Sequence, residues 1–438
     1  MKGYYRLLKE VTSRGWPFAL KKLVYILLDG VGDRPDSTLN YVTPLQAART
    51  PVLDKLARNG KSGLVYTVRK GIAPESDLGV FCMLGYDFTE SYMGRGVVES
   101  IGAGLKFENG YLALRGNFAT IGKKSKIIDR RAGRNLSTEE AKELSQAILD
   151  KVHLSDNAKI QFTSTIGHRC VLVMSVEGKK MSGNIANTDP AYERVQGIGN
   201  AVSRDLESTL SNCKALDRKP GSKLAAELVN EFTEESAKVL AEHQVNARRE
   251  RAGKKPANVV LLRDAGDFLL QLESMEQKYG LKFACLLDMP VEKGIAKLTN
   301  MDEFSGGSTT DYEYKAKMTR NLLKDYDAVY VHIKTTDEPG HDGNAQSKTK
   351  VIEEIDSRFL SPLINSVNLD EVAFMISADH ATPCIVKGHS DDPVPVLVSS
   401  KGIRSDGTCR YTEKDAKNGS LGTLKGIDVL KTALRIIS

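Results

Sequence analysis

Three apolar runs, each closely followed by an acid, constrain this chain more than any other feature. KLVYILL precedes Asp29, AVYVHI comes shortly before Asp337, and EVAFMIS precedes Asp379. Such runs read as buried strands of an α/β sheet. In an open parallel sheet, ligands collect beyond the carboxyl ends of the strands. LLDG (Asp29), PESD (Ser76), TTDEPGHDG (Asp337, His341) and SADHATPCIVKGHSDDPVP (Asp379, His380, His389) can therefore be read as one site. Three acids, three histidines and a serine make a plausible two-metal centre. Two divalent ions about 3.5–4 Å apart suit phosphate chemistry, because they clamp the attacking and leaving oxygens together.

A chain of 438 residues is long for a single core, so more than one domain is expected. Its 41% hydrophobic and 27% charged content is that of a soluble globular protein. The net charge of +6 fits an anionic small substrate and does not by itself argue for nucleic acid. Six scattered cysteines form no C-x-x-C pair and read as reduced, mostly buried thiols of a cytoplasmic protein. No apolar run approaches the roughly 18 residues of a membrane span.

The organisation is expected in four parts. Residues 1–22 form a basic extension with the only tryptophan, Trp16, and read as a packing or homo-oligomer arm. Residues 23–108 begin a metal-bearing core with strand 23–28, a helix capped by Thr50 with Pro51 at its first position, strand 63–68, and Ser76 near a helix start. Residues 109–272 form an inserted α+β domain. Its strands are expected at 112–120, 169–176 and 258–262, with a capping box at Ser137 and Glu140 and one long helix over 223–253. Residues 273–438 resume the core, with strands near 282–288, 327–333, 371–377 and 394–398, and helices near 311–325, 348–360 and 426–437. All seven candidate ligands fall in the two core parts.

Asp337 and His341 are four apart, so one helical turn puts them on one face, and both are suitable ligands for Zn²⁺, Mn²⁺ or similar ions. A polar turn with a surface histidine is the mundane alternative, disfavoured by the neighbouring motifs. Asp379 and His380 are adjacent, and adjacent strand residues point to opposite faces. Both can bind metal only if the strand has ended, as Ala381-Thr382-Pro383 suggests, or else they serve different ions. His389 alone would more often be structural. Ser76 alone would be an ordinary helix cap, but beside metal ligands at a helix start it reads as an activated nucleophile.

The middle of the chain supplies cations: KSKIIDRRAGR (Asp129, Arg130, Arg131, Arg134), GHRC (His168, Arg169), ARRERAGKK and LLRDAG (Arg263). Arginine forks match carboxylate and phosphate. ARRERAGKK reads more simply as a basic helix end.

The order Asp…Ser…Asp-x-x-x-His…Asp-His…His resembles the alkaline phosphatase superfamily. Within it the chain is similar to the archaeal-type cofactor-independent phosphoglycerate mutases. The likeness rests on PESDLGVFCMLGYD, GRGVVESIGAG, LRGNFATI, IIDRRAGR, GHRCVLV, NTDPAYERVQG, GKKPANVVLLRDAG, HIKTTDEPGHDGN and ISADHATPC. It implies an alkaline-phosphatase-like three-layer α/β core with a central, mostly parallel sheet, interrupted by the inserted α+β domain. It implies one ion on Asp29, Ser76, Asp379 and His380, another on Asp337, His341 and His389, and Ser76 as the phosphorylated nucleophile. Asp129, Arg130, Arg134, His168, Arg169 and Arg263 are then expected to bind the glycerate, with Lys293 on the phosphate side. SGGST (305–309) departs from the family's usual turn, and the N-terminal arm is longer.

The expected activity is interconversion of 3-phosphoglycerate and 2-phosphoglycerate through phosphoserine, without 2,3-bisphosphoglycerate, using two divalent ions (Mn, Zn, Co or Mg). No nucleic-acid or membrane partner is expected. A metal-dependent phosphomonoesterase is the competing reading; the arginine-rich insert argues against it, because a simple phosphatase has little use for a carboxylate-reading element. A non-enzymatic binding module is disfavoured because none of the seven ligands is missing.

Overall fold

The structure, a computed structural model, describes residues 21–438 except 89–90, 196–197 and 202–208. The expected N-terminal arm, with Trp16, thus lies outside the described residues apart from its last two positions. Two compact units emerge. One comprises the segments up to 89, 273–288 and 299–438, and the other 90–272 and 289–298.

The first unit is built on eight strands in the order Asp302–Ser305, Phe283–Leu287, Ala328–Ile333, Lys22–Leu28, Val372–Ser377, Val394–Ser399, Gly60–Tyr66 and Gly422–Lys425. Only Val394–Ser399 runs antiparallel to its neighbours, so the sheet is mostly parallel. Ala328–Ile333 and Val372–Ser377 are buried at every position, and Lys22–Leu28 everywhere but its first residue. Burial on both faces is why these strands read as continuous apolar runs rather than alternating ones.

Register places the three ligand-bearing ends together: Leu27 pairs with both His332 and Ser377, and Leu28 with Ile333. Helix Ser76–Met83 is tied to the central strand by the Tyr25 hydroxyl, which donates to the Met83 carbonyl (3.0 Å), and it packs against helix Gly426–Ile437. A second group of helices comprises Pro51–Arg58, Tyr312–Leu322 and the continuous run of Ala345–Glu354, π-helical Ile355–Leu360 and Ser361–Ser366.

Local expectations need four corrections. Thr50 occupies the N-cap position, but its side chain makes no cap bond. The carboxylate of Asp356 accepts the Val52 and Leu53 amides instead (3.2 and 2.8 Å). The helix expected to begin near 348 begins at Ala345, because Asn344 caps it by accepting the Ser347 amide. The helix expected over 223–253 breaks into Pro220–Ala241 and Gln244–Arg251, with His243 Nδ1 accepting the Val245 amide. Helix Pro290–Thr299 was not expected at all.

The second unit carries a five-stranded antiparallel sheet in the order Ile127–Asp129, Leu112–Ile121, Arg169–Ser175 and Lys159–Ser164, with Val259–Gly266 also paired to Leu112–Ile121. Helix Thr138–Lys151 opens with the expected capping box, and within the core Phe162 packs edge-to-face with Phe118 and at a tilt against Phe232. Buried Arg249 explains the basic stretch near 250. It donates to the carbonyls of Ala132, Asn135 and Lys255 and to the side chains of Glu140 and Asn135, fixing the turn after Arg131. Five of the six cysteines are buried thiols and Cys409 is exposed.

Candidate active site and metal centre

The first unit brings Asp29, Ser76, Asp337, His341, Asp379, His380 and His389 into one cluster. Asp29 directly follows its strand, and its amide donates to the Ile333 carbonyl at 2.9 Å. Strand Val372–Ser377 has ended before Asp379, so Asp379 and His380 are released from strand alternation and both turn inward. Asp337 and His341 lie one turn apart on the short helix Asp337–Asp342, with His341 Nε2 3.3 Å from Asp337 Oδ2. His389 Nε2 lies 3.8 Å from Asp337 Oδ1, and its ring stacks on His380 at 3.8 Å.

Ser76 is the first residue inside helix Ser76–Met83 and follows the N-cap Glu75. Its hydroxyl is therefore not the ordinary cap. It lies 3.5 Å from Asp29 Oδ1 and 3.2 Å from His380 Nε2, in a buried setting. Two glycines permit this crowding. A Cβ on Gly30, which has φ +60°, would stand 2.5 Å from Thr382 Oγ1 and 2.6 Å from Asp337 Oδ1. A Cβ on Gly79 would stand 2.2 Å from the Asp379 carbonyl oxygen.

The histidines are oriented by their other nitrogens. His389 Nδ1 is 2.8 Å from the Pro74 carbonyl, and His341 Nδ1 is 3.3 Å from the Lys387 carbonyl. A carbonyl can only accept, so Nδ1 carries the hydrogen and a neutral ring presents a bare Nε2 to the cluster. His380 Nδ1 faces Thr382 Oγ1 at 3.1 Å.

Among the described residues, three donor sets have ligand atoms within 4.8 Å of one another: Asp337 with His341 and His389, Asp29 with Asp337 and His380, and Asp29 with His332 and Asp379. Asp379 Oδ1 accepts the Gly30 and His380 amides at 3.1 Å each. Its buried Oδ2 accepts no hydrogen bond, although His332 Nε2 and His380 Nε2 are 3.3 and 3.5 Å away. A buried carboxylate oxygen left in this state is costly, and oxygen and imidazole donors around it fit a divalent cation.

The electrostatics agree. Burial would raise the Asp29 carboxyl, but the Lys334 ammonium, 2.9 Å away, and the His380 ring hold it well below the usual range. Burial likewise opposes ionisation of Asp337, as does Asp29, yet His341, His389 and His380 hold its carboxyl far down. Burial would lower His380, but Asp379 and Asp29 push it up to about 9. His332 and Lys334 escaped the sequence reading because they lie in, or just after, an apolar strand. Their polar character within AVYVHIK is the signal that could have found them.

The second unit gathers most of the expected glycerate residues. Arg130 makes a bidentate pair with the buried carboxylate of Asp189, which also receives Arg263 at 2.9 Å. Both guanidiniums lie over the Tyr192 ring, at 5.0 and 4.1 Å. Burial and the charges of Arg169, Arg131, Arg263 and Arg134 push His168 down to about 3, so its ring is neutral. Burial and Arg115 lower Arg169 to about 10. Asp129 accepts the Arg131 amide (2.8 Å) and the Lys255 ammonium (2.7 Å), and so shapes the arginine turn. Lys293 is exposed on helix Pro290–Thr299. Asp189, Tyr192 and Glu99, which takes Arg95 at 2.7 Å, were not singled out from sequence.

An acid–histidine cluster at the carboxyl edge of a mostly parallel sheet, with a buried serine among the ligands, defines a class of site suited to metal-assisted phosphoryl transfer. The family model for 2,3-bisphosphoglycerate-independent phosphoglycerate mutase matches residues 57–246. A protein of that name from Aeropyrum pernix is 39% identical over 92% of this chain and 96% of its own length. One from Pyrococcus horikoshii is 37% identical over 95% and 97%. A solved structure of a cofactor-independent phosphoglycerate mutase from Thermoplasma acidophilum is 31% identical, with a TM-score of 0.61 over 96% of this chain and all of that one. A solved structure of a protein from Pyrococcus horikoshii, whose name states no activity, is 32% identical with a TM-score of 0.77 over 96% of this chain and 98% of that one. The chain belongs to the 2,3-bisphosphoglycerate-independent phosphoglycerate mutases. The family and the donor set together imply divalent metal ions. Among the described residues no helix is long and apolar enough to cross a membrane.

Proposed function

We propose that the protein interconverts 3-phosphoglycerate and 2-phosphoglycerate without 2,3-bisphosphoglycerate, through phosphorylation of Ser76. The observation that carries this reading is the buried Ser76 hydroxyl, between Asp29 and His380 in a cluster of three acids and three histidines. Two divalent ions, of Mn, Zn, Co or Mg, would supply the positive charge that phosphoryl transfer demands. Asp29, Ser76, Asp379 and His380 are assigned to one, and Asp337, His341 and His389 to the other.

Ser76 Oγ takes the phosphoryl group as the glycerate oxygen departs. The same glycerate then turns and takes the phosphoryl back on its other hydroxyl. Uncatalysed phosphate monoester cleavage needs up to ~10²¹-fold acceleration, so a preformed nucleophile in a fixed electrostatic setting is the expected apparatus. The acceptor must be retained through the turn. We assign that work to Asp129, Arg130, Arg134, His168, Arg169 and Arg263, and a phosphate-side role to Lys293. Crowded arginines around a neutral His168 support an anion site. The four-part organisation 1–22, 23–108, 109–272 and 273–438, cytoplasmic residence and a homo-oligomer arm at 1–22 belong to the same reading.

Purified protein with a divalent metal and 3-phosphoglycerate, but no bisphosphoglycerate, tests it. Formation of 2-phosphoglycerate is expected. Release of inorganic phosphate alone would establish a phosphomonoesterase instead.

A further inference from the structure

Lys348 stands apart from every role assigned so far. It lies on helix Ala345–Glu354 with its side chain fully buried. Its ammonium donates to the carbonyls of Gly30 (2.8 Å), Gly32 (3.4 Å) and Thr382 (2.9 Å) and to Asp33 Oδ2 (2.8 Å). An ammonium has three donors and no acceptor, so these four oxygens fully occupy it. Asp33 is itself fixed by the Cys384 amide at 3.0 Å and the Arg34 amide at 2.8 Å.

A buried ion pair is a poor source of stability, because desolvation offsets much of the attraction. What this one does is geometric. Gly30 follows Asp29, and Thr382 lies two residues beyond His380. The ammonium therefore gathers the loops that carry Asp29, Asp379 and His380. Thr382 extends the link: its hydroxyl donates to Asp337 Oδ1 at 2.7 Å and faces His380 Nδ1 at 3.1 Å.

We propose that Lys348 is a positioning residue whose ammonium, acting through the loop carbonyls and Thr382, sets the two metal-ligand sets relative to one another. The inference rests on the two-metal reading above. Loss of such supporting contacts typically weakens metal binding about 10–100-fold.

The test compares wild type, Asp33→Asn, the double variant Lys348→Met/Asp33→Asn, and Thr382→Val. Mn²⁺ affinity and stoichiometry are measured by calorimetry and the ligand field by the visible spectrum of bound Co²⁺. The double variant leaves no lone buried charge, so it is expected to fold with weaker ion binding and a shifted cobalt spectrum. Asp33→Asn leaves the ammonium without its counter-ion and costs stability, but it keeps the ammonium on the loop carbonyls, so its ion affinity and cobalt spectrum should stay nearer wild type than the double variant's. A double variant with wild-type affinity and spectrum overturns the proposal, as does an Asp33→Asn change as large as the double variant's. Should the double variant not fold, Thr382→Val decides. Weakened binding of one ion of the pair supports the link to Asp337, and unchanged binding of both overturns it. A wild-type protein that takes up no divalent ion refutes the metal reading itself, a distinct result.

Discussion

Metal uptake should expel a proton from His380, and affinity should therefore climb steeply with pH. In the metal-free protein burial acts to lower the His380 pKa, but the Asp379 and Asp29 carboxylates carry it up to about 9. A nitrogen that ligates a metal must first lose its proton. At pH 7 this means working against about two pH units at about 1.4 kcal/mol each, or roughly 3 kcal/mol. The same gap is roughly a hundredfold in affinity between pH 7 and pH 9, one decade per pH unit, before any contribution from His341, whose pKa Asp337 also raises against the effect of burial.

The metal-free protein should move in the opposite direction. A histidine raised by folding lends stability in full below its unfolded pKa of about 6.5, and that stability fades as pH rises through about 9. The metal-induced increment in Tm should thus grow with pH while the metal-free Tm falls. Mn²⁺ calorimetry in two buffers of different ionisation enthalpy counts the protons released, and His380→Asn should remove one of them. Affinity that stays level from pH 7 to 9, with no proton release, would refute the reasoning.

Ser76→Ala should abolish mutase turnover while keeping the fold and most ion binding; substantial turnover by this variant excludes Ser76 as the nucleophile. His341→Ala and Asp379→Asn should each lower metal content measured by elemental analysis, because they are assigned to different ions, and reversible loss of activity on chelation should accompany them. Arg169→Ala removes a charge-assisted contact worth about 1.5–3 kcal/mol, so released phosphate should rise relative to 2-phosphoglycerate; an unchanged product ratio would show that Arg169 does not retain the acceptor. Glu413, which accepts the Thr43 hydroxyl, is pushed up to about 7 chiefly by burial. The unfolded chain gives up this proton near pH 4.5 and the folded one near 7, so stability falls as pH rises across that window, and Glu413→Gln should flatten the fall in a pH series of melting curves.

The sheet was legible because its central strands are buried on both faces and appear as unbroken apolar runs, with the acid–histidine motifs just beyond them. Much of what escaped has one cause: partners supplied from far along the chain. Asp356 caps a helix some 300 residues earlier, displacing Thr50 from that role, and Asp189 receives Arg130 and Arg263 from 59 and 74 residues away. No local pattern marks either. The break between Ala241 and Gln244 has neither glycine nor proline to announce it, and His243 becomes a cap only through its own ring nitrogen. Histidine and lysine in AVYVHIK looked like strand and strand end, because periodicity reports which face is buried and not what a buried polar group meets.

The two clusters are built on opposite electrostatic plans, and this bears on substrate choice. The first unit crowds Asp29, Asp337 and Asp379 together and leaves a buried carboxylate oxygen without a hydrogen bond, a demand for cations. The second crowds Arg131, Arg134 and Arg169 around a histidine forced neutral, a demand for an anion. A simple phosphate ester would use only the first cluster with its ions. Phosphoglycerate carries both kinds of group, a phosphate suited to the ions and a carboxylate suited to the arginines. Glycerol phosphate, which lacks the carboxylate, should therefore still phosphorylate Ser76 but be poorly retained, and its turnover should end chiefly in free phosphate.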